Sequence, residues 1–247
     1  MTPEMILLAL LIFGAAVLYS SVGHAGASGY LAVMALFGLA PEVMKPTALV
    51  LNVCVASLGV WRYTRAGQTD LRVLWPLVLG SIPAAFLGAK LHVPPEWYRP
   101  LLGLVLIVSA FHFVWTSRRA VAEDAAAKPP LLWVLVLTGA AIGLLSGMTG
   151  TGGGIFLSPI LLWAGWAATR PASGIAATFI LANSLSGLVG LGSGIAFLPP
   201  LWPLFAAAAV GGGLIGTQLG TRTLPVPGLR LALSAVLVVA AAKLILA

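Results

Sequence analysis

Long apolar runs constrain this chain more than any other feature. Seven or eight can be read, at about 5–41, 46–63, 71–91, 99–116, 131–169, 174–195, 200–221 and 229–246, with charge confined to their ends and the links between them. A helix needs roughly 18–20 such residues to cross a bilayer, and every run is long enough. Only 8% of the 247 residues are charged, against about a quarter in soluble domains. That leaves too little polar surface to cover a water-soluble globule. The runs lack the polar–apolar alternation of barrel strands. The expected fold class is therefore all-α: a polytopic helical bundle in a membrane, in contact with lipid.

The remaining composition narrows the function. A net charge of +7 would suggest nucleic acid in a soluble protein. Here Lys and Arg lie between apolar runs, where they set membrane orientation, so no nucleic-acid partner is expected. The single cysteine, Cys54, excludes an intrachain disulfide and reads as a small buried hydrophobe. No cationic segment precedes the first run, so no cleaved signal peptide is expected. No metal cluster, phosphate loop or dinucleotide fingerprint occurs, and no cofactor is expected.

The sequence also repeats itself. The one substantially polar linker, 117–130 (SRRAVAEDAAAKPP), separates a first transmembrane repeat, 1–116, from a second, 131–247. PTALVLNVCVASLG matches AATFILANSLSGLVG, pairing Thr47 with Thr178, Asn52 with Asn183 and Gly59 with Gly190. Further on, Gly88 pairs with Gly220, Lys90 with Arg222, Arg99 with Arg230 and His112 with Lys243. The offset stays at 131 or 132, and upstream it becomes 125, pairing Ser21 with Ser146 and Gly29 with Gly154. A near-constant offset across four helices indicates duplication.

Two runs are too long for one span. As a single helix, 5–41 would extend on the order of 55 Å, against a hydrocarbon core of about 30 Å. Glycines interrupt both: Gly23 to Gly29 (GHAGASG) in the first and Gly147 to Gly154 (GMTGTGGG) in the second. Each run therefore predicts a Gly-broken helical hairpin, re-entrant or fully spanning. Charge tests this. With straight spans the basic residues divide 7 to 6. With hairpins Arg62, Arg65, Arg72, Arg118, Arg119, Lys128, Arg170, Arg222 and Arg230 share one side, giving 9 to 4. Only the second satisfies the positive-inside rule, and it places the 117–130 linker in the cytoplasm. An odd number of crossings per half makes the two repeats inverted.

Paired breaks carry the functional signal. Unwound backbone in a membrane must be buried or line a cavity, and helix N-termini attract anions. The candidate substrate-binding residues are His24, Gly26, Ser28 and Gly29 at the first break, and Thr149, Thr151, Gly153 and Gly154 at the second. Thr47, Asn52, Thr178 and Asn183 join them, because asparagine in an apolar helix needs a partner or water. The competing reading is close packing by small residues and interhelical hydrogen bonding. His112 is expected near the membrane interface, and Trp61, Tyr63, Trp97, Tyr98, Trp115 and Trp133 are expected as interfacial anchors. No carboxylate falls within a span, so a carboxylate proton relay is absent.

An enzyme is not expected. Gly26-Ala27-Ser28-Gly29 spells the GxSG pattern of intramembrane serine proteases, yet Ser28 pairs with Gly153 in the repeat and no spacing secures a base for it. The segments PEVMKPTALVLNV, SGMTGTGGGIFLSPILL and ASGIAATFILANSLSG resemble the sulfite exporter TauE/SafE family, also described as 4-toluene sulfonate uptake permeases. The resemblance covers nearly the whole chain. It implies transport of sulfur oxyanions or organosulfonates, such as sulfite, thiosulfate or sulfoacetate, across the bacterial inner membrane. One repeat would rock against the other. The alternatives are a permease for another small organic anion or cation, or a non-transporting membrane assembly subunit.

Overall fold

The computed structural model describes residues 3–21, 23–91, 93–118, 128, 130–222 and 227–246. Most of the 117–130 linker, including Arg119, lies outside them. Among the described residues there are ten α-helices, one 3₁₀ turn and no strand. They are α1 (Pro3–Ser20), α2 (Ala27–Leu36), α3 (Pro41–Arg65), α4 (Leu71–Lys90) and α5 (Pro95–Arg118), then α6 (Leu132–Thr149), α7 (Gly154–Trp163), α8 (Thr169–Leu191), α9 (Trp202–Arg222) and α10 (Pro227–Leu246). Among the described residues seven helices are long and apolar enough to cross a membrane: α1, α3, α4, α5, α6, α8 and α9. Their outward faces carry large exposed hydrophobics such as Leu10, Leu79, Phe111, Leu137 and Val189, the surface a lipid-facing bundle requires.

Both long runs do break. The first helix stops at Ser20 and the second starts at Ala27, with Gly23 and Gly26 between them at φ of 82° and 113°. The sixth stops at Thr149 and the seventh starts at Gly154, after Gly150, Gly152 and Gly153 in the same left-handed region. The breaks are shorter than the glycine pattern suggested: Ser28 and Gly29 are already helical, and Gly147 belongs to α6. At ten residues each, α2 and α7 span about 15 Å, half a hydrocarbon core.

Gly147 is a packing glycine. On α6, β-carbons at Gly139, Gly143 and Gly147 would overlap the carbonyls of Leu77, Ser81 and Ala85 on α4. The paired numbers rise together, so α4 and α6 run parallel, backbone against backbone. Gly212 and Gly216 of α9 meet Phe13 and Val17 of α1 in the same way, and this pair is also parallel. Ile82 with Ser186 and Phe86 with Gly190 make α4 and α8 parallel. Val55 with Gly213 and Arg62 with Thr217 do so for α3 and α9. By contrast, Leu49 meets Gly187, Asn52 meets Ser184 and Gly59 meets Ala177, so α3 and α8 cross antiparallel.

Two groups of three co-directional helices result, α1/α3/α9 and α4/α6/α8, joined along α3 and α8. Following the chain through these directions gathers eight described basic residues on one face, Arg62, Arg65, Arg72, Arg118, Lys128, Arg170, Arg222 and Arg230. Lys45, Lys90, Arg99 and Lys243 lie toward the other.

Candidate functional site

Asn52 sits near the middle of α3, and Asn183 near the middle of α8. Both are fully buried. The Asn52 amide nitrogen donates to Ser184 Oγ at 3.3 Å, while Asn52 Oδ1 and both polar atoms of Asn183 have no hydrogen-bond partner. The second break lies directly against them. A β-carbon on Gly152 would fall 2.6 Å from Asn52 Nδ2, and one on Gly153 3.3 Å from Asn183 Nδ2. Glycine is needed here twice over, for the left-handed backbone and for room beside the amides.

The first break reaches the second through His24. Its Nε2 is 3.2 Å from the Gly154 carbonyl and 3.0 Å from Ser158 Oγ. A carbonyl only accepts, so the Gly154 bond requires the proton on Nε2; in the other tautomer Nε2 accepts from the Ser158 hydroxyl instead. Thus Asn52, Asn183, Gly153, Gly154 and His24 converge around the start of α7. Its first N–H groups have no partners within the helix and give that end a partial positive charge.

Other candidates are placed differently. Thr149 Oγ1 bonds the Leu145 carbonyl at 2.7 Å and lies 3.0 Å from Thr151 Oγ1, and both threonines are buried. Thr47 and Thr178 turn their hydroxyls to their own helices, at Val43 O and Gly174 O. Gly26 packs on the Tyr30 ring and Gly29 on Tyr19 and Ala15, while Ser28 is buried within α2. Three expectations are corrected. His112 is only 4% exposed, its ring 6.1 Å from that of His24, because α5 turns it toward the first break. Tyr63 and Tyr98 are also buried rather than interfacial. Trp61, Trp97 and Trp133 do lie exposed.

A cavity of about 370 Å³ opens between the ends of α3, α4, α6 and α8 on the face opposite the eight clustered basic residues, lined by Lys45, Tyr98, Met148, Gly190 and Phe197 among others. Tyr98 donates its hydroxyl to the Thr149 carbonyl at 2.9 Å. Lys45 lies beneath Gly150, whose β-carbon would be 3.1 Å from Lys45 Cγ. At the other end of the α3/α8 crossing, Ser20, His24, Gly59, Tyr63 and Ala177 enclose only about 10 Å³, room for one water at most.

Sequence reasoning missed Ser184, Ser158, Lys45 and Tyr98. Ser184 has no polar match at the 131-residue offset, where the apolar Val53 stands. Lys45 stands near a helix start and counts as an ordinary end charge until its burial is known. The family described as sulfite exporter TauE/SafE matches residues 8–244. A curated protein of Sinorhizobium fredii, named "Probable membrane transporter protein y4hK", is 39% identical over 246 residues, covering 99% of this chain and 100% of that protein.

Proposed function

The chain belongs to the sulfite exporter TauE/SafE family, a family of membrane transporters, and from this we propose that it carries a small anion, a sulfur oxyanion or organosulfonate, across the bacterial inner membrane. The observation that carries the reading is the asparagine pair. Three amide polar atoms, on two fully buried side chains, have no partner in the middle of two spans. Such atoms cost stability unless something polar visits them. Amides and helix N–H groups hold a delocalised anion without fixing a buried cation beside it.

The two halves are inverted repeats in this reading. In support, α1 and α3 run one way while their counterparts α6 and α8 run the other, and α4 opposes α9 in the same sense. The short helices α2 and α7 would be the re-entrant arms, each starting beside the α3/α8 crossing. A broad cavity at one end of that crossing and a closed seam at the other suit alternating access. The basic face is the cytoplasmic one, so the cavity opens outward.

Uptake of ³⁵S-labelled sulfite and thiosulfate and of a labelled sulfonate into proteoliposomes tests this, with Asn52→Ala and Asn183→Ala beside the wild type. Flux lost in both variants is the expected result. Folded wild-type protein that moves none of these anions, with or without a pH gradient, would remove the sulfur-anion assignment.

A further inference from the structure

The cavity holds a buried lysine that makes no ion pair among the described residues. Lys45 is the fifth residue of α3, one step before Pro46, and it is only 9% exposed. Its ammonium has three donors, and its one hydrogen bond runs to the Ala89 carbonyl at 3.2 Å. It makes no ion pair with any described residue. The cavity's other charged residues, Glu42 and Lys90, are exposed near its rim, and Lys90 Nζ sits 4.4 Å over the Phe86 ring. Much of the wall is apolar, with Leu91, Val93, Met148, Leu191 and Phe197.

A buried ammonium without an anion is expensive in an apolar bundle and marks a site that an anion completes. The position is also asymmetric. By the 131-residue offset the counterpart of Lys45 is Ala176, and the sealed end is lined by no lysine or arginine. Duplication alone therefore does not account for it.

We propose that Lys45 is an anion-capture residue: the ammonium at the cavity floor binds the head of an organic or inorganic oxyanion, which then needs only to pass Gly150 and Thr151 to reach the asparagine pair. The apolar wall above accepts the body of an organic anion. This rests on the transport reading for its purpose, though binding can be measured without flux.

The test uses benzenesulfonate and the purified full chain, with binding followed by calorimetry and flux in proteoliposomes. Lys45→Gln should weaken binding and raise KM by about tenfold or more, the scale of a lost charge-assisted hydrogen bond. Lys45→Arg should retain much of both. Because Lys45→Gln could fail to fold, Lys45→Cys in a Cys54→Ser background supplies a second arm. Its purified protein should regain binding when an aminoethyl methanethiosulfonate restores the ammonium, and should not when the sulfonatoethyl reagent adds a negative charge. Unmodified Lys45→Cys or Lys45→Gln that binds like wild type would overturn the proposal. Flux unaffected by Lys45→Gln would remove the capture site and leave transport standing. Lys45-dependent binding without wild-type flux would do the reverse, and benzenesulfonate neither bound nor carried would overturn both.

Discussion

Replacing Asn183 with leucine should make this protein more stable and stop it working. Leucine has asparagine's branched outline and number of side-chain heavy atoms, and the site has apolar neighbours in Ile142, Phe179 and Ile180 beside the second break. Both polar atoms of Asn183 are buried without partners. At the low end of the usual cost, about 1 kcal/mol for each such atom, their removal should add roughly 2 kcal/mol. Asn52→Leu offers a built-in comparison. It relieves one orphan, Oδ1, but breaks the 3.3 Å bond to Ser184. An interhelical bond of this kind is worth about 0.6 kcal/mol, and the Ser184 hydroxyl is then left short of a donor. The two effects nearly cancel. For a chain of this size a 2 kcal/mol gap corresponds to roughly 4–8 °C in Tm. Thermal unfolding in detergent, followed by tryptophan fluorescence, should therefore rank Asn183→Leu above wild type and Asn52→Leu near it. Anion flux should be lost in both. An Asn183→Leu protein less stable than wild type would show that the amide is structural glue; retained flux would show that the site lies elsewhere.

Further outcomes follow from the packing and the orientation. Gly143→Leu should cost about 1–3 kcal/mol, because its side chain must displace the Ser81 backbone; Gly14→Ala, with nothing within 4 Å of the added carbon, should be neutral or slightly stabilising, and a thermal scan of both checks the pair. Gly26→Ala should lose flux and about 1–2 kcal/mol, since its φ of 113° disfavours any β-carbon and Tyr30 already occupies the space at 2.6 Å; unaltered Tm and flux would contradict this. A cysteine at Gly67, in a Cys54→Ser background, should react with membrane-impermeant maleimide only from the cytoplasm, and one at Pro95 only from outside. Labelling of both from one side of intact spheroplasts would refute the assigned helix directions.

The sequence made the membrane bundle legible because bilayer thickness converts apolar run length directly into spans. It also revealed the breaks, since left-handed backbone at Gly26 and Gly153 leaves a glycine signature. It overstated their extent, because glycine serves two purposes in this chain. Gly147 looks like Gly150 in sequence, yet one packs α6 onto the α4 backbone and the other ends the helix. Asn52 and Asn183 were found through their cost in an apolar helix. Lys45 and Tyr98 were not, because each lies within a few residues of a helix start, where charged and aromatic side chains ordinarily face water or headgroups. Lys45 is covered by the Ala89 end of α4 and by Gly150, and Tyr98 reaches the end of α6 at Thr149, tertiary facts with no local trace.

The same packing decides which bodies can move. Rocking of one repeat against the other is the simplest expectation from a duplicated sequence, but the backbone-on-backbone interfaces join the repeats. One ties α1 to α9 and another ties α4 to α6, and glycine-backed contacts of this kind leave no side-chain layer to shear. The groups expected to move are then α1/α3/α9 and α4/α6/α8, each drawn from both halves of the chain, with sliding expected where α3 crosses α8. Two engineered disulfides separate the possibilities in a Cys54→Ser background. Val55 Cβ is 3.6 Å from the place a β-carbon on Gly213 would take, and Ala177 Cβ is 3.3 Å from that on Gly59, both near the 3.5–4.5 Å a disulfide accepts. Val55→Cys with Gly213→Cys joins the two repeats but lies within one group. Gly59→Cys with Ala177→Cys joins the two groups across the sealed end. Oxidation should leave flux intact in the first pair and abolish it in the second, with recovery on reduction. Loss of flux on oxidising Val55→Cys with Gly213→Cys would show that the repeats themselves separate, and the three-helix groups would not be the moving parts.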